Sequence, residues 1–340
     1  MLLILVLISL LDHIFIPKYI NENTDGRITA EFYEERPGLD LVALGSSTLY
    51  NAMIPAELYK EKGICSFVRS NASQTVWQSY YLLEDAIKYN KPKIVIFDVS
   101  FMKYGEDFVE EPSNRKTIEH MKSPVSKYCA VKASMYEEED IASYYFPILR
   151  YHSRWKELTT EDIGYAYASP QVTYNGYIME SQIAKDQHIY ESEAAPGISF
   201  PAKAMEYLDR ITELCRKEDI KLLLIKTPTF VNSWHREYDD LLREYAAENS
   251  ISYFNFDDMA EAMNINVRTD YIDDGEHLNI NGAKKFTTAL GDYLLENCEL
   301  EDHRGDEGLN RSWQEKLDRY EADSQRAMEE FDQNRQEMGL

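Results

Sequence analysis

Five short apolar runs, each followed by a segment with helical periodicity, constrain the fold of this chain more than any other feature. The runs cover 39–44, 64–69, 93–99, 220–226 and 252–256. One helical segment ends at 62, and the other four cover 76–89, 202–218, 234–249 and 280–296. This alternation predicts an α/β fold, a three-layer α/β/α sandwich around a parallel five-stranded sheet. In such a sheet we expect a site beyond the carboxyl ends of the strands.

The interval 101–200 breaks this alternation and is rich in aromatic residues. A loop of that length without structure is implausible in a compact domain, so we interpret it as an inserted helical cap. Its aromatic residues include Tyr144, Tyr145, Tyr151, Trp155, Tyr165, Tyr167, Tyr174, Tyr177 and Tyr190. We favour rings that fill the seam between insert and sheet domain, and rings that stack on sugars are the alternative.

The N-terminal residues 1–17 begin with the apolar run MLLILVLISLL, which ends at Asp12. A spanning helix needs about 20 apolar residues, and the basic start and cleavage site of a signal peptide are missing. We interpret this segment as a truncated or signal-anchor-like membrane anchor, with a buried first helix as the alternative. The polar residues 18–38 then predict an exposed linker, and residues 39–298 a domain that contains the insert.

Residues 299–340 are strongly polar, apart from a stripe at spacings of three and four. The stripe consists of Trp313, Leu317, Tyr320, Ser324, Ala327, Phe331, Asn334 and Met338. This pattern predicts a helical tail with one contact face. We favour a helix that packs on its own domain or frays in solution, and oligomerisation through a coiled coil is the alternative.

Charge and cysteine spacing exclude several kinds of partner. The chain has 60 acidic and 36 basic residues, and its net charge of −24 repels phosphate backbones, so we expect no nucleic acid. The cysteines are Cys65, Cys129, Cys215 and Cys298. Their spacing predicts neither a zinc site nor a disulfide framework. Asp273, Asp274 and Glu276 adjoin a single histidine, which makes a metal site a weak interpretation.

Two motifs supply the parts of a nucleophilic site. A serine hydroxyl becomes reactive when an imidazole accepts its proton and a carboxylate holds that imidazole in one tautomer. Ser47 lies where the first predicted strand gives way to a helix. The segment YIDDGEHLNING at 271–282 supplies His277, with Asp274 three residues before it. A helix N-cap is the alternative role for Ser47. With His277 in the chain, we favour the nucleophile.

These motifs resemble those of the SGNH (GDSL-like) hydrolases. LGSST at 44–48 is similar to the GDS block, with serine in place of aspartate as in cell-envelope branches of the family. DGEHLN at 274–279 is similar to the C-terminal DxxH block. The resemblance covers 39–298 outside the insert and implies a flavodoxin-like fold. It also implies that Ser47 rather than Ser46 is the nucleophile, with Asp274 rather than Asp273 behind His277.

Two blocks of that family differ here. Where the family has an oxyanion-hole glycine, the chain reads Asn71-Ala72-Ser73, so the expected donor is a backbone amide of Ala72 or Ser73, or a side chain such as that of Asn71. The asparagine of the third block is absent, and the strand ends FDVS at 97–100. Loss of one oxyanion donor typically lowers the rate by about two to three orders of magnitude. We therefore expect a slow enzyme rather than none, and the missing asparagine argues against ordinary esterase activity.

The sequence thus predicts a serine-dependent acyl-ester hydrolase or O-acyltransferase without a cofactor. The resemblance implies an extracytoplasmic, membrane-anchored protein of a bacterial cell envelope, an acylated polysaccharide or small acyl ester as substrate, and a membrane-bound acyltransferase as partner. The alternative is a non-catalytic relative that binds glycan or that partner. A Ser47 hydroxyl about 3 Å from His277 favours the enzyme, and a wide gap favours the alternative.

Overall fold

A five-stranded sheet forms the centre of the protein. The computed structural model describes residues 2–19, 24–108, 110–165, 171–185, 197–231 and 233–340. The strands are β1 (Leu41–Leu44), β2 (Ser66–Val68), β3 (Ile94–Asp98), β4 (Lys221–Lys226) and β5 (Ser252–Asn255). All neighbouring strands are parallel, in the order β2-β1-β3-β4-β5. Each strand lies within one predicted run, so the predicted α/β fold with its parallel sheet is confirmed.

Helices cover both faces of the sheet and complete three layers. They are α1 (Leu2–Phe15), α2 (Ile28–Glu31), α3 (Ser47–Tyr50), α4 (Pro55–Lys62), α5 (Val76–Tyr89), α6 (Glu111–Ile118), α7 (Pro124–Ser134), α8 (Ala142–Tyr145), α9 (Ile148–Tyr151), α10 (Thr160–Tyr165), α11 (Ala202–Lys217), α12 (Arg236–Asn249), α13 (Ile280–Asn297) and α14 (Glu307–Glu337). Val95 and Phe97 of β3 belong to the core beneath α5 and α11, whereas Ile94 and Ile96 belong to the core beneath α4 and α13. Burial on both faces explains why the central strands are apolar throughout.

The insert is helical in its first part and irregular in its last. Helices α6 to α10 lie between 111 and 165 and form the predicted cap. Residues 171–185, which we call the strap, contain no helix or strand and turn tightly at Asn175 and Gly176, both at positive φ. Asn175 accepts a hydrogen bond from the backbone amide of Val68 (2.9 Å), and Ile178 donates one to the carbonyl of Tyr50 (2.9 Å). The strap therefore lies beside the end of β2 and beside α3.

The aromatic residues of the insert differ in burial, and rings that stack on sugars stay a prediction. Tyr144 and Tyr177 are fully buried, as expected for rings in the seam between insert and core. Trp155 is exposed. Tyr167, Tyr190 and the side chain of Tyr165 lie outside the described residues.

Residues 18–38 were predicted to be an exposed linker, and this prediction is wrong for the part of them that the structure describes. Ile28 and Phe32, one helical turn apart, are buried in the core. The Glu31 carboxylate accepts hydrogen bonds from the amide of Val172 (2.6 Å) and the hydroxyl of Thr173 (2.5 Å) in the strap. The polar composition was misleading because these polar groups bond to partners inside the fold. Residues 20–23 lie outside the described residues.

Helix α1 lies against α9 and α10 of the insert. The Asp12 carboxylate accepts a hydrogen bond from the amide of Ile148 (2.9 Å). Leu7 and Leu10 are exposed. Among the described residues, no helix combines the length and the apolar character that a bilayer crossing requires. The predicted membrane anchor at 1–17 stays a prediction.

Helix α14 packs the predicted stripe of the tail against its own domain. Six of the eight stripe residues are buried: Trp313, Leu317, Tyr320, Ser324, Ala327 and Phe331. The Trp313 ring stacks on Tyr59 of α4, with ring centroids 4.9 Å apart. The Tyr320 hydroxyl donates to Glu57 of the same helix (3.0 Å). The tail is thus part of the domain, and oligomerisation through it stays a prediction.

Candidate active site

Ser47 lies at the carboxyl edge of the sheet, where β1 gives way to α3. The N-cap of α3 is Ser46, whose backbone is extended, and Ser47 is the first helical residue. The N-cap alternative for Ser47 is therefore wrong. A Cβ atom at Gly45 would lie only 2.9 Å from the Cβ of Asp98, so this turn needs a glycine. The close approach of β1 and β3 thus sets the position of the nucleophile candidate.

A hydrogen bond joins the Ser47 hydroxyl to the imidazole of His277. Ser47 Oγ lies 2.7 Å from His277 Nε2. On the other side of the ring, His277 Nδ1 lies 2.5 Å from Asp273 Oδ2. A carboxylate at Nδ1 keeps the ring proton there and leaves Nε2 free to accept the serine proton. The three side chains have the order that a nucleophile, a general base and its orienting carboxylate require.

The carboxylate of this array is Asp273, and the prediction of Asp274 is corrected. Asp273 Oδ1 accepts the backbone amides of Glu276 (2.8 Å) and His277 (3.0 Å), which closes a tight turn. Gly275, at φ +95°, allows the reversal of the chain within this turn. The turn brings the residue four positions before the histidine onto the ring, whereas Asp274 is exposed. The resemblance had implied a spacing of three.

Charges around the imidazole favour its protonated form. Burial alone raises the pKa of Asp273, but the hydrogen bond and charge of His277 outweigh this effect and hold the pKa below its ordinary value. Burial alone lowers the pKa of His277, but Asp273, with smaller contributions from Glu276 and Glu180, raises it above the ordinary value. The site thus stabilises the imidazolium that forms when His277 accepts a proton.

A buried carboxylate fastens the nucleophile helix to the sheet. Asp98, the last residue of β3, is 1% exposed. Its oxygens accept bonds from Thr48 Oγ1 (2.8 Å) and from the amides and hydroxyls of Ser100 and Thr227. Because Thr48 follows Ser47 directly, this network holds the nucleophile in register with β3 and β4. The role of Asp98 was not predicted from the sequence, where its one signal is an acidic residue at the end of a buried strand.

The loop after β2 adjoins the nucleophile turn, since Ser46 Oγ donates to the Asn71 carbonyl (3.5 Å). The side chain of Asn71 is fully buried and its amide nitrogen donates to Gln74 (2.9 Å), so we remove Asn71 from the predicted oxyanion donors. Ala72 and Ser73 are half-buried. Within the described part of the chain, their amides and that of Ser47 donate to no acceptor. These three amides are the oxyanion candidates.

Two charged residues beside the site carry no motif that the sequence analysis could use. Glu180 belongs to the strap, and burial raises its pKa although the charge of His277 opposes this. Lys103 follows β3 and donates to the hydroxyl of Ser233 (2.6 Å). Burial lowers the pKa of Lys103 to about 8, while the charge of Glu276 opposes this. Both reach the site through loops whose position depends on the fold.

Three of these side chains also have the spacing of metal ligands. Oxygen or nitrogen atoms of Asp273, Glu276 and His277 lie within 4.8 Å of one another. However, Asp273 occupies Nδ1 of the imidazole and Ser47 occupies Nε2, both at hydrogen-bonding distance. A metal ion at the histidine would have to break one of these bonds. The arrangement therefore suits proton transfer better than metal binding.

Comparison with known proteins yields structural neighbours only. No protein-family model matches the chain, and no curated protein matches it. Similar solved structures include a GDSL-like lipase from Bacteroides thetaiotaomicron, at 12% identity and a TM-score of 0.39. That match covers 81% of this chain and 98% of the lipase. A candidate acylhydrolase from Bacteroides fragilis has the same identity and TM-score and covers 82% and 98%.

Proposed function

We propose that this protein is a serine-dependent acyl-ester hydrolase or O-acyltransferase. The observation that carries this proposal is the 2.7 Å hydrogen bond between Ser47 Oγ and His277 Nε2, with Asp273 bonded to the opposite ring nitrogen. A protein that only binds glycan or a partner has no need for this alignment, because a blocked or separated pair would serve it equally well. The geometry therefore favours catalysis over the binding alternative.

In the first half-reaction, Ser47 Oγ attacks the ester carbonyl carbon while His277 Nε2 accepts the hydroxyl proton. The carbonyl oxygen becomes an oxyanion, for which the amides of Ser47, Ala72 and Ser73 are the candidate donors. The tetrahedral intermediate then collapses. The bond to the alcohol oxygen breaks, His277 returns its proton to that oxygen, and the acyl group remains on Ser47.

In the second half-reaction, His277 Nε2 accepts a proton from the acyl acceptor while the acceptor oxygen attacks the acyl carbon. The bond between that carbon and Ser47 Oγ then breaks, and His277 returns the proton to Oγ. Water as acceptor makes the protein a hydrolase, and a sugar hydroxyl makes it a transferase. Asp273 keeps the imidazole in one tautomer and stabilises its protonated form in both halves. All steps are proton and acyl transfers, so the proposal invokes no cofactor.

We further propose an acylated cell-surface polysaccharide, or a small ester related to it, as the substrate. An aromatic cluster supports a sugar ligand: Phe108 is exposed and stacks on Tyr104, with ring centroids 3.9 Å apart. Lys103, next to Tyr104, is bonded to Ser233 in the loop after β4. The backbone of that loop in turn bonds to Gly275 in the histidine turn, through Phe230 (2.7 Å). The cluster thus stands on loops connected to His277, where a ring could stack.

Our proposal for localisation is a bacterial cell envelope, with residues 1–17 as membrane anchor and a membrane-bound acyltransferase as partner. The apolar sequence of α1 and the exposed side chains of Leu7 and Leu10 support it, because an exposed apolar helix is stabilised by lipid. Fractionation of cells that express the chain with and without residues 1–17 tests the anchor. Recovery of both forms in the soluble fraction would contradict it.

The test of the catalytic proposal is covalent labelling by a fluorophosphonate, which reacts with activated serines. We expect wild type to label, Ser47→Ala not to label, and Ser46→Ala to label, because the Ser46 hydroxyl is buried and faces Asn71. His277→Ala should label at least a hundredfold more slowly. Folded wild-type protein that does not label would overturn the proposal. With an acetyl ester as substrate and an oligosaccharide added, release of acetate identifies a hydrolase, and transfer of the acetyl group to the oligosaccharide identifies a transferase.

A further inference from the structure

The strap connects the two halves of the candidate active site through backbone hydrogen bonds. On the nucleophile side, Ile178 donates to the carbonyl of Tyr50, the last residue of α3 (2.9 Å). On the histidine side, the Glu180 carbonyl accepts the amide of Ile280 (2.7 Å), and Ala184 donates to the carbonyl of Tyr271 (3.1 Å). These contacts lie three residues after Ser47 and on both flanks of the histidine turn. The strap therefore bridges the two halves of the site.

Helix α14 contacts the strap through side-chain hydrogen bonds. Ser181 Oγ donates to Glu330 (2.9 Å), and the side-chain amide of Asn334 donates to the Ser181 carbonyl (3.3 Å). About two helical turns before Glu330, Asp323 of α14 accepts a hydrogen bond from the Tyr174 hydroxyl (2.6 Å). Two stretches of α14 thus contact two parts of the strap.

A small apolar core joins the helix, the strap and the first residue of α13. Ile183 of the strap, Ile280 of α13, and Ala327 and Phe331 of α14 are buried together, with Met179 packed against them. Ile280 is fully buried and lies three residues after His277. Phe331 is the largest side chain of this core, and it is 54 residues away from His277 in sequence. Its packing bears on the backbone that positions the imidazole.

From these contacts we infer that the C-terminal helix is a positioning element of the active site. Through the core around Phe331, it presses the strap onto α3 and onto the start of α13, and this sets the distance between Ser47 and His277. The inference rests on the proposed function, because positioning matters for a proton transfer and not for passive binding. A shift of about 1 Å at such a site can lower a rate a hundredfold. Phe331 is a positioning residue and touches no reacting atom.

The experiment compares two buried aromatic residues of the same helix. Phe331→Ala empties the core next to Ile280, and Phe331→Leu largely refills it. Trp313→Ala is the matched control, because Trp313 is equally buried and stacks on Tyr59 of α4. It lies about 27 Å from Phe331 along the helix axis. Circular dichroism first establishes a temperature at which all variants are folded.

At that temperature, we expect Phe331→Ala to label with a fluorophosphonate at least tenfold more slowly than wild type. Phe331→Leu should stay within about threefold and Trp313→Ala within about twofold. With an ester substrate, the loss in Phe331→Ala should fall on kcat rather than on KM. Wild-type labelling by Phe331→Ala, or an equal loss in Trp313→Ala, would overturn the inference while the proposed function stands.

Amide hydrogen exchange supplies a readout that does not depend on catalysis. In Phe331→Ala, the peptides that contain the Ile280 and Ala184 amides should exchange faster, because their bonds to Glu180 and Tyr271 loosen. Trp313→Ala should leave these peptides unchanged. If wild type does not label, the proposed function fails. Unchanged exchange in Phe331→Ala would then overturn the positioning inference separately.

Discussion

The two loops that meet at the active site are held in different ways. The nucleophile turn follows a central strand, packs against it at Gly45, and is bonded through Thr48 to the buried carboxylate of Asp98. The histidine turn is partly exposed and folds around its own acidic residue, Asp273, with a glycine at positive φ. The nucleophile is thus fixed by the central sheet, and the base by its own turn together with the strap that bonds to both flanks of that turn.

Because of this difference, we expect substitutions in the two loops to have different main effects. A change in the network around Asp98 leaves several buried donors without an acceptor, and the whole sheet edge depends on them. A change in the histidine turn removes few buried contacts, because Asp273 is 37% exposed at its side chain and His277 is 21% exposed. We therefore expect substitutions in the first loop to lower the free energy of unfolding and those in the second mainly to lower the rate.

The largest effect on rate is expected at Asp273. Asp273→Ala removes the acceptor that holds His277 Nδ1, and loss of the orienting carboxylate in such arrays lowers kcat by about 10³–10⁴. Asp274→Ala is the matched control, since this neighbour is exposed and His277 Nδ1 is bonded to Asp273. It should label with fluorophosphonate within about threefold of wild type. The reverse order of the two variants would restore the spacing that the family resemblance implied.

The largest loss of stability is expected at Asp98. Asp98→Ala removes one acceptor side chain from five bonds, and unsatisfied buried donors cost about 1–3 kcal/mol each before the structure relaxes. We expect a decrease of about 3–5 kcal/mol in the free energy of unfolding, measured in urea. Asp273→Ala should lower it by about 1 kcal/mol. Equal losses in the two variants would contradict the comparison.

The sheet could be predicted from sequence because strands that are buried on both faces appear as short, continuous apolar runs. The predicted run 93–99 is one residue longer than β3 at each end, and the run 220–226 is one residue longer than β4 at its start. Ser47 and His277 were singled out by two short motifs, one at the end of the first strand and one just before α13. The periodic stripe of α14 likewise predicted its buried face.

The choice between Asp273 and Asp274 could not be made from sequence. Two adjacent carboxylates differ only in which one the turn brings back onto the ring, and that depends on the positive φ of Gly275 and on the bonds to the amides of Glu276 and His277. The strap was hidden for a different reason. Its bonds to Tyr50 and Ile280 are made by backbone atoms, which leave no pattern in the sequence.

A smaller effect on rate is expected at Gly275. Gly275→Ala adds a Cβ atom 3.0 Å from the Cβ of Phe230 at a φ of +95°, so the turn must shift. We expect the labelling rate to fall about tenfold to a hundredfold, and the free energy of unfolding to fall by about 1–2 kcal/mol. Gly305→Ala is the control, because a Cβ atom there meets nothing within 4 Å. A wild-type rate in Gly275→Ala would show that the turn tolerates another backbone.

The smallest effects are expected in the pH dependence. Catalysis needs a neutral imidazole, so the rate should fall tenfold for each pH unit below the pKa of His277. Burial lowers this pKa, but the bond and charge of Asp273 raise it above the ordinary value, so the decline should begin above the pH expected for a free histidine. Glu276→Gln and Glu180→Gln should each move the decline to lower pH, and by less than Asp273→Asn does. Single charge changes should therefore shift the pKa of His277, because the charges that raise it lie on the histidine turn and on the strap. An unchanged profile in all three variants would mean that a group other than His277 titrates.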